Sequence, residues 1–369
     1  MKNTFGMAIS VTLFGESHGS YIGAVIDGLS PGIAIDEEYI AEKMDLRRAY
    51  GKLSTARHEE DKPEFVSGVF EGRTTGTPLT ILIKNGDTKS KDYSKLKDMP
   101  RPSHADYTAD CKYLGYQDYR GGGHFSGRIT AALVAAGAVL QSALEQKGIY
   151  IGTHIAGCHG ICDRQFNASD YMTDIKALSG KQFAVLDDRK AEAMKAEIEK
   201  VAAEGDSVGG ILETAAIGLP TGLGEPWFDS LESEISHIVF SVPAVKGIEF
   251  GLGFGFADCK GSEANDAFRY ENGKVVTATN NNGGINGGIS NGMPVVFRTV
   301  IKPTPSIFKA QDTVDLAKGE NAELALEGRH DPAIIHRARV VIDAVTAIAI
   351  ADLMTVRFGT NIFTPEEKK

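Results

Sequence analysis

The stretch DYRGGGHFSGRITAALVAAGAVLQSALEQKG, residues 118–148, joins a glycine-rich turn to a long run of small and apolar residues. The second part, from Arg128 to Gly148, predicts a long helix, because alanine and leucine favour helix and a glycine commonly ends one. The first part puts three successive glycines before that helix, between Arg120 and the Arg128 with which the helix begins. A helix N-terminus presents free N–H groups and the positive end of the dipole, so the junction predicts an anion-binding wall.

This junction is not a good nucleotide-binding loop. Gly122 and Gly127 have the spacing of a Walker-type phosphate loop, but Arg128 stands where that loop carries lysine. Ile129 stands where it carries the hydroxyl that holds magnesium, and the preceding residues make a poor buried strand. A magnesium-nucleotide phosphotransferase is therefore the weaker hypothesis. Arg128 in the first helical turn would still offer charge-assisted hydrogen bonds to an anion.

Short strands and helices alternate irregularly along the rest of the chain, without a clean linker. This pattern favours a single α/β or α+β domain over residues 1–369, with an acidic tail from residue 360 that frays. The last helix is predicted to begin with Asp331 as its N-cap and Pro332 as its first residue. Other predicted helices cover 35–50, with Asp36 as N-cap, 187–206 and 227–242; predicted strands cover 64–72, 77–86, 149–157, 207–220, 247–257 and 293–306.

Composition narrows the classes of function. The net charge of −10 argues against a general nucleic-acid or anionic-membrane surface. Glycine is enriched at 42 of 369 residues, which indicates tight turns or backbone that must approach a partner closely. The four cysteines are few and irregularly spaced, as in a reducing compartment. Without a signal peptide or an apolar run near ~18 residues, the sequence predicts a cytoplasmic protein.

Two histidines lie in turns that could display them. In FGESHGSYIG, Gly15 and Gly19 frame His18, which is either a general acid or base or a surface histidine in a capped turn. In MPRPSHADYT, Arg101 and His104 lie close together before a predicted helix. His104 is a candidate for a second acid or base, unless Ser103 caps that helix and His104 merely occupies its first turn.

Arginines gather beside these motifs. Exposed cations at helix ends ordinarily stabilise the helix dipole. In an acidic protein, their concentration next to glycine and histidine motifs indicates instead a clamp for a small molecule with several negative charges. Asp331 is either an N-cap or a buried carboxylate beside an arginine, ionised and able to accept a hydrogen bond. The candidate clamp consists of Arg47, Arg48, Arg57, Arg101, Arg128 and Arg329.

No metal site is predicted. His154, Cys158, His159 and Cys162 do not have the spacing of a usual zinc site, and no second half follows. Buried thiols are the simpler interpretation.

Seven segments together resemble the chorismate synthase family. Each is weakly specific alone, but all occur in order and span nearly the whole chain. The segments are GESHG (15–19), RPSHADYT (101–108), YRGGGHFSGR (119–128), AVKGIEFG (244–251), NGGINGGISNG (282–292), IKPTPS (301–306) and GRHDP (328–332).

The resemblance implies a lyase that converts 5-enolpyruvylshikimate-3-phosphate to chorismate and phosphate by a 1,4-anti elimination, with reduced FMN as cofactor. This is the last common step of aromatic amino acid biosynthesis. It implies a single large sandwich of helices around antiparallel sheets, assembled as a homotetramer. The sequence has no dinucleotide fingerprint, so we expect a separate flavin reductase rather than self-reduction with NADPH.

The resemblance also implies residue roles. His18 would protonate the departing phosphate, His104 would keep the reduced flavin in its working protonation state, and Asp331 would help take a proton from flavin N5. The arginine clamp would hold the substrate, which carries a phosphate and two carboxylates. FMN would contact His124, Phe125, Ser126, Pro243, Ala244, Gly287, Lys302, Pro303, Thr304, Pro305, Ser306 and Arg329.

Overall fold

A computed structural model describes residues 2–49, 51–54, 60–86, 96–326 and 331–366. The predicted site residues Arg57 and Arg329 lie outside the described residues. The helices are α1 (Glu37–Arg47), α2 (Asp106–Tyr113), α3 (Thr130–Glu145), α4 (Tyr171–Leu178), α5 (Asp188–Ala203), α6 (Leu231–Val239), α7 (Gly261–Ala264) and α8 (Ile335–Phe358). The strands are β1 (Thr4–Phe5), β2 (Ser10–Gly15), β3 (Tyr21–Asp27), β4 (Pro63–Ser67), β5 (Val69–Phe70), β6 (Arg73–Thr74), β7 (Leu79–Lys84), β8 (Tyr150–Cys158), β9 (Ile161–Cys162), β10 (Gly210–Ile217), β11 (Val245–Phe250), β12 (Phe268–Glu271), β13 (Lys274–Thr277), β14 (Ile285–Asn286), β15 (Ile289–Ser290), β16 (Val295–Ile301), β17 (Gln311–Asp315) and β18 (Glu320–Leu324).

The chain folds as two units with the same order of elements, each with shorter elements inserted. The first runs β2, β3, α1, β4, β7, α3, and the second runs β8, β10, α6, β11, β16, α8. The two sheets have equivalent orders, β1-β2-β3-β7-β4 and β9-β8-β10-β16-β11. In each unit a long connection links the fourth strand to the last helix, over residues 85–129 and 302–334. The predicted site motifs around His104, Gly121, Lys302 and Asp331 all lie in these two equivalent connections.

The two sheets enclose a layer of helices. Helix α3 packs on β3 and β7 of the first sheet, α8 packs on β8 and β10 of the second, and the two helices pack on each other. The antiparallel sheets and the α+β class are confirmed. The layer order differs from the prediction, since the main helices lie between the sheets rather than around them. On the outer face of the second sheet, α4 adds a small cluster with Phe166, Ile175 and Leu178.

The alanine-rich composition of α3 follows from its position in the centre. All of its residues except Ser142 and Glu145 are buried. A Cβ atom at Gly137 would lie 2.4 Å from the Cβ of Ala344, so the backbones of α3 and α8 meet where Gly137 has no side chain. In the described residues one helix, Gly127–Glu145, is long and apolar enough to cross a membrane, but 94% of that window is buried in the protein. It is a core helix, and it confirms the long helix predicted over Arg128–Gly148.

Three details of the predicted elements are corrected or confirmed. Asp36 is the N-cap of α1, accepting from Tyr39 N at 2.9 Å, as predicted. Asp331 is not an N-cap, because α8 begins at Ile335 after an Ile334 cap that has no side-chain hydrogen bond. The strand predicted over 247–257 ends at Phe250, and a 3₁₀ turn follows over Gly253–Asp258.

The C-terminal segment does not fray from residue 360. Phe363 is buried in the core, and its backbone N–H donates to Ser30 Oγ at 3.2 Å. Pro365 packs on Gly32. These contacts with the connection between β3 and α1 fix the described end of the chain, and 367–369 lie outside the described residues.

Candidate active site

The glycine turn of residues 121–123 lies between the two candidate histidines. All three glycines have positive φ, at 59°, 82° and 54°, a backbone that L side chains rarely adopt. A Cβ at Gly121 would lie 2.4 Å from Cε1 of His18, and one at Gly122 would lie 3.2 Å from Cε1 of His104. The turn therefore needs glycine for both conformation and space, and it brings the two predicted acid–base residues to one place.

Backbone and amide hydrogen bonds fix the turn that carries His18. Ser17 is fully buried, and its N–H donates to Gly123 O at 3.0 Å. The Asn85 side chain donates to Glu16 O at 3.0 Å and Gly19 O at 2.8 Å. Its oxygen accepts from Arg128 Nε at 2.8 Å. Asn85, which sequence reasoning missed, thus ties the His18 turn to one of the predicted clamp arginines.

A carboxylate that sequence reasoning missed joins Arg101 to His104. Asp106 accepts from Arg101 Nε at 2.7 Å and Nη2 at 2.8 Å, and it lies 2.7 Å from His104 Nδ1. Burial alone would raise the pKa of Asp106, but the hydrogen bonds and charges of Arg101 and His104 outweigh it and hold that pKa well below its usual range. Ser103 does not cap α2, whose N-cap is Ala105. The interpretation of His104 as an ordinary first-turn residue is therefore wrong.

Two further clamp arginines share a second buried carboxylate. Asp61 lies 2.9 Å from Arg47 Nη1 and also accepts a short hydrogen bond from Arg128 Nη1. All three side chains are buried. Arg47 also donates to Thr130 Oγ1 and to the carbonyl of Gly127. Arg47 and Arg128 thus hold the start of α3 in place, besides bringing positive charge to the glycine turn.

Asp331 is connected to this network through Arg337. Arg337 Nη1 lies 2.8 Å from Asp331 Oδ2, and Arg337 Nε donates to Arg47 O at 2.9 Å. Asp331 thus lies beside an arginine, as the alternative predicted, although it is half-buried rather than fully buried. A series of contacts through Arg337 and Arg47 to the Gly127 carbonyl therefore links Asp331 to the segment that carries the glycine turn beside His18 and His104.

The residues expected to contact flavin fall into three places: the segment Lys302–Ser306 with Ala244, the turn at Gly287, and the cavity beside His124 and Phe125, which is described below. Lys302 Nζ donates to Ser103 O at 2.5 Å, and Ser306 Oγ accepts from Arg101 Nη1 at 3.3 Å, so the segment Lys302–Ser306 adjoins the His104 loop. Ala244 joins it, because Lys302 N donates to Ala244 O at 2.9 Å. Gly287 lies in the β14–β15 turn, where the neighbouring Gly288 O accepts from Leu231 N. These contacts do not connect Gly287 to the histidines.

A cavity of about 320 Å³ opens beside the glycine turn. Aromatic rings line much of it, including Tyr113, Tyr119 and Phe125. The rings of Phe125 and Tyr113 meet edge-on, with 6.0 Å between their centroids. His124 also lines the cavity and its Nδ1 lies 2.7 Å from Gly15 O. Ser126 instead caps the 3₁₀ turn before α3, where its Oγ accepts from Arg128 N. The volume and the mixed lining are typical of small-molecule and cofactor sites.

Several predicted or suspected residues lie at the edge of this neighbourhood or outside it. Arg48 lies at its edge: it is partly exposed, pairs with Asp45 at 2.6 Å and donates to the carbonyl of Glu60, next to Asp61. His154 is fully buried between Asp163 and Glu213, each 2.9 Å from a ring nitrogen. Cys158 is buried, and all four cysteines are free. Within the described ranges, no group of three or more His, Cys, Asp or Glu side chains is arranged to hold a metal ion.

His336, in the first turn of α8, predicts a pH dependence of stability. Its Nε2 lies 2.7 Å from Ser54 Oγ, and burial together with the nearby Arg337 charge lowers the pKa of His336 from 6.5 to about 4. Between these values the unfolded chain binds the proton and the folded chain does not, so stability falls as pH falls. We expect His336→Gln to remove about 2 kcal/mol of the wild-type loss between pH 7.5 and pH 5, measured as the free energy of unfolding in urea.

His159→Gln is the control for this measurement. His159 is exposed and pairs with Glu197 on the surface, so its replacement should leave the pH dependence of unfolding unchanged. If His336→Gln shows the same pH slope as the wild type, the buried neutral state of His336 is wrong.

Some of the site residues that were missed could have been suspected from the sequence around them, and one could not. Asp106 follows His104 by two positions in RPSHAD, and Asn85 follows a strand end, so both could have been suspected as partners. Arg337 lies in the segment HRARV after Asp331. Asp61 had no local signal, since it follows GluGlu in a charged segment and only the fold brings it to Arg47 and Arg128.

Comparisons with known proteins identify the family of the chain. The family model described as chorismate synthase matches residues 9–355. The chain is 46% identical to a chorismate synthase from Pyrococcus abyssi over 352 residues, covering 95% of this chain and 97% of that protein. It is 45% identical to one from Chitinophaga pinensis, covering 97% and 98%. A crystal structure of a chorismate synthase superposes with a TM-score of 0.75 at 27% identity, covering 97% of this chain and 95% of that one. The chain belongs to the chorismate synthase family, whose members are lyases of aromatic biosynthesis.

Proposed function

We propose that the chain converts 5-enolpyruvylshikimate-3-phosphate to chorismate and phosphate by 1,4-anti elimination, with bound reduced FMN. The observation that carries this proposal is the glycine turn between His18 and His104, with buried arginines on both sides and an aromatic-lined cavity next to it. Two acid–base groups and fixed positive charge are what loss of a phosphate with removal of a proton requires. Family membership supports the same reaction.

The residues present fit a flavin mononucleotide. The cavity offers aromatic surface for a flat ring, and at Gly122 the positive-φ turn brings backbone without a side chain to its wall. Lys302 supplies a positive group for a phosphate, and the segment up to Ser306 lies beside Arg101. We propose that His124, Phe125, Ser126, Pro243, Ala244, Gly287, Lys302–Ser306 and Arg329 hold the cofactor. When bound, reduced FMN would supply the electron density that eases cleavage of the carbon–oxygen bond.

The protein would supply position, charge and protons. His18, held by its turn against Gly121, would donate a proton to the leaving phosphate oxygen. His104 would hold a proton at the cavity face, and Asp331 would act as a proton acceptor fixed by Arg337. The clamp of Arg47, Arg48, Arg57, Arg101, Arg128 and Arg329 would bind the anionic groups of the substrate. Within this clamp, Arg47 and Arg128 would contribute their positive charge and also fix the start of α3, since both are paired with the buried Asp61.

The reaction itself tests the proposal. The protein is incubated without oxygen with 5-enolpyruvylshikimate-3-phosphate, with and without reduced FMN, and phosphate and chorismate are measured. We expect both products in equal amounts with reduced FMN and neither without it. No product in the presence of reduced FMN would refute the proposed function.

The alternative of a magnesium-nucleotide phosphotransferase loses support from the structure. A phosphate loop of that class follows a buried strand, whereas helix α2 precedes the glycine turn here. The same assay with ATP and magnesium distinguishes the two.

We also propose a cytoplasmic homotetramer supplied with reduced flavin by a separate reductase. Family membership supports the assembly, and the absence of a dinucleotide fingerprint in the sequence supports the external reductase. Adding NADPH to the complex with oxidised FMN, without a reductase, tests the second point, because self-reduction would bleach the flavin absorbance.

A further inference from the structure

The carboxylate of Asp106 is turned away from the helix that it begins. An acidic residue in a first turn usually interacts with its own helix N-terminus. Asp106, however, accepts from the backbone N–H of Arg101 at 3.0 Å and from Arg101 Nε at 2.7 Å through Oδ2. Its Oδ1 accepts from Arg101 Nη2 at 2.8 Å and lies 2.7 Å from His104 Nδ1. The side chain is only 10% exposed, so these are the contacts that define its environment.

These distances decide which nitrogen of His104 carries a proton. An ionised carboxylate only accepts, and the low pKa of Asp106 keeps it ionised at neutral pH. His104 Nδ1 at 2.7 Å must therefore be a donor. A deprotonated Nδ1 could instead accept from Arg101 Nη2 at 3.1 Å. Its lone pair would then face a lone pair of Asp106 Oδ1 at 2.7 Å, and two acceptors repel each other at that shorter distance. The contact with the carboxylate therefore prevails.

We propose that Asp106 is a positioning residue that fixes the His104 ring with its proton on Nδ1 and its Nε2 directed to the glycine turn. The direction of Nε2 follows from Gly122, where a Cβ would lie 3.5 Å from that nitrogen. With Nδ1 occupied by Asp106, Nε2 is the nitrogen left to exchange protons at the site. The kinetic consequence rests on the proposed function, whereas the proton position does not.

Asp106→Asn should reverse the tautomer rather than merely weaken the contact. The amide oxygen is expected at the Oδ2 position, because two fixed donors of Arg101, its backbone N–H and Nε, point there, whereas Oδ1 faces one fixed donor, Arg101 Nη2, and the His104 nitrogen whose proton can move. The amide NH₂ then takes the Oδ1 position and donates to His104 Nδ1. The ring must in response carry its proton on Nε2, which removes the acceptor from the glycine turn.

Nitrogen-15 spectra of the full-length protein labelled at its histidines test the proton position directly. His104 is assigned from the signal that His104→Gln removes, and the spectra are taken in the solid state at about pH 8. A proton on Nδ1, with or without a second on Nε2, supports the proposal. A proton on Nε2 alone in the wild type overturns it. This measurement needs neither activity nor a folded Asp106 variant.

Turnover supplies the second readout. We expect Asp106→Asn to lower kcat about 100-fold or more, and Asp106→Asn in a His104→Ala background to cause no further loss. If the kcat losses of the two single variants multiply in the double variant, or if only KM rises, then Asp106 acts by holding Arg101 and not through His104. Either result would overturn the proposal. Asp110→Asn is the matched control: Asp110 lies one turn further along α2 and contacts Gln117, so neither kcat nor the His104 spectrum should change. If the wild type forms no chorismate, the proposed function fails and the spectra still decide the role of Asp106.

Discussion

Replacing His18 by alanine is expected to lower kcat by about 10²–10⁴-fold while leaving the affinity for FMN nearly unchanged. The reason is geometric. His18 lies against Gly121 in a turn that Ser17 and Asn85 hold by backbone contacts, so removal of the imidazole leaves the turn in place. Protonation of the leaving phosphate would be lost, whereas the aromatic cavity and the Lys302 segment would remain. Single turnovers with saturating reduced FMN, together with a flavin titration, measure the two quantities separately.

His104→Ala is expected to behave in the same way, and His159→Ala is the control. His159 lies on the surface beside Glu197, so its loss should change neither turnover nor flavin affinity. If His18→Ala or His104→Ala abolished flavin binding while turnover per bound flavin stayed intact, that histidine would be a cofactor ligand and not an acid–base group.

The sequence was informative about these histidines because the glycine turns that expose them lie next to them or next to arginines along the chain. Glycines at 15, 19 and 121–123 signalled sharp turns next to histidine and arginine, and the structure needs positive φ at Gly15 and at all three glycines of the turn. The N-cap Asp36 was predictable for the same reason, since its partner Tyr39 N is three residues away. Where cause and effect lie within one turn, the residue pattern is sufficient.

The sequence was least informative where partners are distant. Asp331 looks like an N-cap in HDPA, but its side chain pairs with Arg337, which lies in the first turn of α8. Asp61 is paired with Arg47 and Arg128, which are 14 and 67 residues away, and no local pattern encodes that. The layer order did have a signal. A helix that is apolar on every side, as α3 is, must be covered on every side, and this places it between the sheets.

The buried Asp61 carries the largest expected effect on stability. Burial alone would raise the pKa of Asp61, but the charges of Arg47 and Arg128 outweigh it and hold that pKa below its ordinary value. Asp61→Asn removes the negative charge from between two buried guanidinium groups. Breaking a buried ion pair on one side typically costs about 3–5 kcal/mol, because the remaining charge stays out of water. We expect a loss of that size in the free energy of unfolding, measured in urea at pH 7.

Glu192→Gln is the matched control, because it makes the same chemical change in an exposed pair with Lys195, which should be worth less than about 1 kcal/mol. Equal effects of the two variants would contradict the structural role of Asp61.

The Asp61→Asn variant should lose catalytic activity as well as stability, for a reason specific to the fold. Asp61 holds Arg128, Arg128 holds Asn85, and Asn85 holds both carbonyls of the turn around His18. The folded fraction of Asp61→Asn should therefore also lose turnover, although Asp61 itself is buried behind the arginines and would not touch the substrate.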